Sequence, residues 1–205
     1  MKIKSILSHN EKYNEITSVK IVKSIKAHNS WIKGIVHNKR LNIIISWSNE
    51  GIITINNDYS LIFLNVIELG KNYDIKDIII SNYDLLYINC YDLTNNNYKI
   101  ICLTLNGIKA TLFENSDKIV NFFVEGKKII IVHENKNIFI FDCYDLSVIK
   151  DNIFFDYIDN YGGPKINLKY CSYYPKLKKM LIVYSNNKIN FQDLENCKLI
   201  SKLLC

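Results

Sequence analysis

An all-β chain arranged as an incomplete β-propeller, about four full four-stranded blades plus part of one N-terminal blade, is what the sequence predicts on three observations. A twelve-residue cassette recurs along the 205 residues, clearest as IFIFDCYDLSVI (Ile138 to Ile149) and INFQDLENCKLI (Ile189 to Ile200). Its copies start at Glu11, Ile53, Ile101, Ile138 and Ile189, an average spacing of about 45 residues, and few architectures carry that period. Isoleucine, valine, tyrosine and phenylalanine dominate the apolar set, and these side chains suit strands better than helices.

Within each cassette the first places alternate apolar and polar, a turn-forming stretch follows, and the last places are apolar again: strand, tight turn, strand. Upstream of three copies lies a run that reads as a buried strand, LNIIISWS (Leu41 to Ser48), KKIIIVHE (Lys127 to Glu134) and KKMLIVYS (Lys178 to Ser185). WIKGIVH (Trp31 to His37), IVNFFVE (Ile119 to Glu125) and INLKYCSYY (Ile166 to Tyr174) precede these as a further strand each. Four strands in about 45 residues make one propeller blade. The expected division is a partial blade of outer strands over residues 1–27, blades over 28–70, 71–115 (degenerate), 116–151 and 152–205, all in one domain. The partial blade contains the cassette EKYNEITSVKIV and an outer strand over Val19 to Ala27, while Lys198 to Leu204 supplies an outer strand at the other end. With outer strands at both ends the ring is expected to be open, the C-terminal portion of a larger propeller or a piece that needs a partner, because a bare edge invites aggregation.

SWSNEGIITINN (Ser46 to Asn57) runs small residue, acidic turn, glycine, alternating strand, and in this order the chain resembles the WD-repeat family over nearly its whole length. The place of the Trp-Asp pair reads Asn56-Asn57, Phe141-Asp142 and Gln192-Asp193, and the blade-opening Gly-His appears once as Ala27-His28. The resemblance implies a blade motif made by His28, Ser46 or Ser48, Asn56, Asn57, Asp142 and Asp193, in which a buried histidine and a strand hydroxyl hydrogen-bond inside a blade. Such a network stabilises only when each member is satisfied. Asp142 and Asp193 sit where a turn explains them, so they read as turn residues.

A narrower resemblance rests on AHNSWIKGIV (Ala27 to Val36), IIISWSNEGIITI (Ile43 to Ile55), DLLYINCYD (Asp84 to Asp92) and ICLTLNGIKATL, with its Asn106-Gly107 turn. In that order the chain is similar to the C-terminal propeller of BEACH-domain (neurobeachin-like) proteins. The likeness implies a large cytoplasmic scaffold in vesicle traffic with this propeller as its protein-binding end.

Composition narrows the function classes. The net charge is +6, yet Arg40 is the one arginine, and specific phosphate or guanine-edge recognition favours the planar guanidinium. Lysine pairs such as Lys127-Lys128 and Lys178-Lys179 read as solvated turns and edge protection. The six cysteines, Cys90, Cys102, Cys143, Cys171, Cys197 and Cys205, lack the spacing of a zinc site, so no metal and no cofactor is expected. Neither a Gly-x-Ser-x-Gly elbow, a phosphate-cradling loop nor a His-Glu-x-x-His occurs, so no enzyme is expected. Polar residues interrupt each apolar run before about 18 residues, too early for a membrane-spanning helix.

One stretch stands apart. DNIFFDYIDNYGGPK (Asp151 to Lys165) reads as a long link between the third and fourth full blades, rich in tyrosine and acid. Tyr157, Asp159 and Tyr161 are candidate partner contacts there, because a tyrosine ring buries much area at little entropy cost; a Gly-Gly-Pro turn with its aromatics packed beneath is the plainer reading. The expected function is a non-enzymatic protein-interaction scaffold in the cytoplasm, docking through loops that join strands fourth to first and second to third. Its partners are other proteins or the missing blades of the same propeller, with no specific nucleic acid and with membranes reached through a larger assembly. The alternative is a peripheral membrane or nucleic-acid binder driven by lysine charge.

Overall fold

A computed structural model describes residues 23–135, 137–145, 147–154, 168–193 and 199–203, with backbone alone at 110–112, 150–154, 175, 192–193 and 199–203. The strands form four antiparallel sheets in chain order. Sheet 1 holds β1 (Ile32–Asn38), β2 (Ile43–Ser48), β3 (Ile52–Asn57) and β4 (Phe63–Glu68). Sheet 2 holds β5 (Tyr73–Ile80), β6 (Leu85–Asp92), β7 (Asn97–Thr104) and β8 (Lys109–Asn115). Sheet 3 holds β9 (Ile119–Glu125), β10 (Lys128–His133), β11 (Asn137–Asp142) and β12 (Val148–Phe154). Sheet 4 holds β13 (Leu168–Tyr174), β14 (Lys179–Tyr184), β15 (Ile189–Asp193) and β16 (Leu199–Leu203), with a single 3-10 turn at Pro175–Leu177.

Each strand pairs with the next, and the first strands touch in series, β1 against β5, β5 against β9 and β9 against β13. Among the described residues the series does not close into a ring.

The core is three slabs between neighbouring sheets, and strand periodicity fills them. Successive side chains point to opposite faces, so β2 sends Ile43, Ile45 and Trp47 toward sheet 2, where Ile75, Ile78, Leu86 and Ile88 meet them. On β6 the alternation sends Leu86, Ile88 and Cys90 to that slab and Tyr87 to the next, with Cys102, Phe122, Ile129 and Cys143. β10 divides likewise: Ile129 and Ile131 face sheet 2, while Ile130 and Val132 meet Cys171, Met180 and Ile182 of sheet 4. A strand covered on both faces needs apolar residues at consecutive places, which is why these second strands read as unbroken runs. Each fully buried isoleucine contributes roughly 1.5–3 kcal/mol.

Two glycines are forced by close approach. A Cβ on Gly34 would stand 2.1 Å from the Trp47 ring, so β1 lies flat on that indole because it has none. Gly51, at φ +71°, turns β2 into β3, and a Cβ there would meet the Gly70 carbonyl at 2.1 Å.

Three expectations need revision. The outer strand expected over Val19 to Ala27 is not a strand in its described part: Lys23 to Ala27 make no sheet pairing, and Lys23 reaches sheet 1 through its side chain, donating to the Ser60 carbonyl. Asp151 to Phe154 belong to β12 rather than to the link, because bulges opposite Ile138 to Phe141 let pairing continue to Asn137 with Phe154. The degenerate cassette begins late: β7 starts at Asn97, where Asn97 to Ile100 extend the ladder with β6. The cassette at Glu11 to Val22 lies outside the described residues.

Candidate functional site

The face of sheet 1 turned away from sheet 2 carries a polar cluster. Pairing of β2 with β3 sets Ser46 opposite Thr54, and their hydroxyl oxygens lie 2.8 Å apart. His28 Nε2 reaches down to both, 2.8 Å from Ser46 Oγ and 3.2 Å from Thr54 Oγ1. Burial pushes the His28 imidazole below its ordinary pKa, with the bond to Ser46 opposing, so the neutral ring is favoured. A histidine at this distance from a serine has the reach of a general base. Here, however, Ser46 is 4% exposed and its oxygen is shared with Thr54. The cluster therefore acts as a pin that fastens the segment before β1 to the sheet.

The other motif residues are placed apart from it. Ser48 is fully buried and its Oγ accepts the Glu50 amide at 3.3 Å. Asn56 is buried and donates from Nδ2 to the Leu61 carbonyl at 3.5 Å. Asn57 Oδ1 accepts the amides of Tyr59 at 3.2 Å and Ser60 at 2.7 Å, building the turn between β3 and β4. Asp142 does the same in sheet 3, accepting the Tyr144 amide at 2.7 Å. Asp193 ends β15 opposite Lys179. Tyr157, Asp159 and Tyr161 lie outside the described residues. Sequence reasoning missed Thr54, although the cross-strand partner of Ser46 follows once β2 and β3 are set in register.

Three buried polar groups join elements. The Tyr87 hydroxyl donates to the Cys143 carbonyl across sheets 2 and 3, and burial holds its pKa well above the usual phenol range. Lys99 is almost fully buried on β7, 2.8 Å from Asp92 and 3.1 Å from Glu114. Its hydrogen bond holds the Asp92 carboxyl far below the usual range. His133 is fully buried, with Nδ1 donating to the Asp117 carbonyl at 3.2 Å and Nε2 meeting no partner among the described residues.

The turns at one end of the sheets form a shallow relief. Asn42, Asn57, Asp58 and Tyr59 line a shallow hollow of about 580 Å3. His37 Nε2 stands 2.9 Å from Asp58 Oδ2 at its rim. Beside it Arg40 pairs with Asp84, and Tyr83 meets Tyr144 edge-on with ring centres 6.4 Å apart. Among the described residues no three histidine, cysteine or acidic side chains gather as metal ligands would.

No family model matches the chain, and no curated protein matches it in sequence. Among solved structures, the β-propeller domain of Cps50 (Swd1) from Myceliophteria thermophila aligns with a TM-score of 0.68 at 11% identity, over 86% of this chain and 56% of that one. The computationally designed protein Ika8 aligns with a TM-score of 0.62 at 10% identity, over 86% of this chain and 50% of that one. The designed protein Ika4 aligns with a TM-score of 0.63 at 11% identity, over 86% of this chain and 99% of that one. The chain thus spans about half the length of Ika8 and of the Swd1 domain. Identities this low speak to the fold alone, and the fold is that of a β-propeller, whose described residues form four four-stranded blades in series without closing a ring.

Proposed function

We propose that this chain is a non-enzymatic protein-interaction scaffold, the propeller portion of a larger WD-repeat or BEACH-type protein that acts in vesicle and membrane traffic. The observation that carries the scaffold reading is the use of the polar motif residues: His28, Ser46 and Thr54 pin a segment, and Asn57 and Asp142 build turns. Beside exposed residues of β1 and β4, turn tips stand open on a β framework, the arrangement with which loops on a scaffold contact partners. Likeness to a natural propeller domain supports the same reading at the level of fold. The traffic assignment rests on the BEACH-like segments of the sequence.

Affinity capture of the full chain through a salt titration tests it. A protein partner retained at high salt and lost when the exposed turns are substituted supports the scaffold. Capture of nucleic acid alone, released steeply as salt rises, would sink it. For the narrower assignment, co-fractionation with a BEACH-module protein is the expected result, and fractionation away from all such proteins refutes it.

A further inference from the structure

The two ends of the blades are chemically unlike, and we propose that the end formed by the first-to-second and third-to-fourth strand turns is a docking surface for an anionic lipid bilayer. This goes beyond the scaffold reading, which needs no membrane contact.

Contacts between blades show that these turns share one end. Arg40 and Asp84 join the first-to-second turns of sheets 1 and 2. Tyr83 and Tyr144 join the corresponding turn of sheet 2 to the third-to-fourth turn of sheet 3. Phe123 and Tyr173, 6.3 Å apart, bring sheets 3 and 4 together just before their own first-to-second turns.

Apolar side chains stand at the tips of this end. Tyr59 is 91% exposed, Tyr144 73%, Ile108 67%, Ile62 64% and Leu177 59%. They come from turns of all four sheets, Tyr59 and Ile62 from the same one. Lys39, Lys109, Lys127, Lys128 and Lys176 stand exposed among them, and none lies within ion-pair range of a described carboxylate. Of the acids at this end, Asp84 pairs with Arg40, Asp58 with His37, and Asp142 and Asp145 accept turn amides, while Glu125 closes β9 beside Lys127 and Lys128.

The opposite end differs in degree. Among its described lysines, Lys71 pairs with Glu50 at 3.9 Å and Lys118 with Glu134 at 3.6 Å, while Lys169 at the start of β13 stands exposed. Its described turns carry Asn49, Asn72, Asn95, Asn96 and Asn135, with Trp31, Ile32 and Leu93 exposed at this end.

A row of separate apolar tips with unpaired lysines between them suits a plane. A peptide would reach one or two tips, whereas a bilayer surface meets those of all four sheets together. Tyrosine favours the headgroup boundary, and isolated aliphatic tips gain by dipping into it. Each lysine near an anionic headgroup contributes about fivefold in partition. Nucleic acid fits less well, because Ile62, Ile108 and Leu177 offer no ring on which a base could stack.

Sedimentation of the full chain with vesicles of phosphatidylcholine, alone and mixed with phosphatidylserine, tests the proposal. Partition is expected with the mixed vesicles, to weaken as salt screens the surface, and to fall roughly 25-fold in K127Q/K128Q. Ile108→Ser with Leu177→Ser should also weaken it while the thermal melt stays unchanged, and Lys71→Gln at the other end should leave it intact. A Tyr144→Trp reporter should be quenched by brominated lipid. Equal partition to uncharged vesicles, absence of partition, or full binding by the Ile108/Leu177 variant overturns the proposal. So does an RNA oligonucleotide that displaces the vesicles and binds that variant undiminished, which would make the face a nucleic-acid surface. Loss of vesicle binding with the captured protein partner retained would refute this surface and leave the scaffold reading standing.

Discussion

His133 shows how one side chain ties stability to pH. Its Nδ1 hydrogen is given to the Asp117 carbonyl, and its ring packs edge-on against Phe139 with centres 5.1 Å apart, so a second proton on Nε2 would be buried without an acceptor. Burial lowers its pKa, as it does that of His28. A lowered histidine pKa leaves the unfolded chain binding more protons, so stability is intact above about 6.5 and is lost as pH falls through the folded values. Urea midpoints measured from neutral to mildly acidic pH should therefore decline, and His133→Gln should flatten that decline; an unchanged slope would remove His133 from the account. The polar pin predicts a second outcome: Ser46→Ala should cost about 1 kcal/mol, and a double-mutant cycle with His28→Ala should show coupling rather than additivity. Residue identity was only half legible in sequence. Ser46 and His28 could be named from the order of the segments, whereas the burial of Lys99 between Asp92 and Glu114 depends on β6, β7 and β8 lying side by side.

At the scale of elements, blades are built by local ladders and joined by few specific contacts. Gly34→Ala would press a methyl group into the Trp47 ring, and overpacking of this kind costs typically 1–3 kcal/mol, readable as a lower denaturation midpoint with unchanged slope. Tyr87→Phe removes the donor to the Cys143 carbonyl and leaves that oxygen buried and unpaired. A loss of about 1–3 kcal/mol is expected, larger than that for an exposed tyrosine such as Tyr59. The cassettes marked the third and fourth strands because alternation and turn residues are local properties. They did not mark the end of β12, because bulges reset the pairing with β11 in a way the one-residue pattern does not encode.

For the whole molecule, each buried thiol watches one joint. Cys90 lies in the slab between sheets 1 and 2, Cys102 and Cys143 between sheets 2 and 3, and Cys171 between sheets 3 and 4. Burial pushes Cys90 and Cys171 up to about 12 and Cys102 up to about 11, so none reacts until its slab opens. In a serial array stability is nearly a sum of neighbour terms, and terminal units open first. Pulsed thiol labelling read by mass spectrometry should find Cys171 modified before Cys102 and Cys143 as urea rises; simultaneous labelling would mean one cooperative unit instead. The sequence by itself determined the all-β class, the period of about 45 residues and the four-strand blade, because strand alternation, turn chemistry and repeat spacing are written in neighbouring residues. Tertiary structure alone decided that Thr54 completes the His28 pin, that Lys99 is buried, and that the exposed tyrosines, isoleucines and unpaired lysines of separate turns share one end. Those facts depend on how distant strands stack, and stacking is fixed by which slabs bury together rather than by any local pattern.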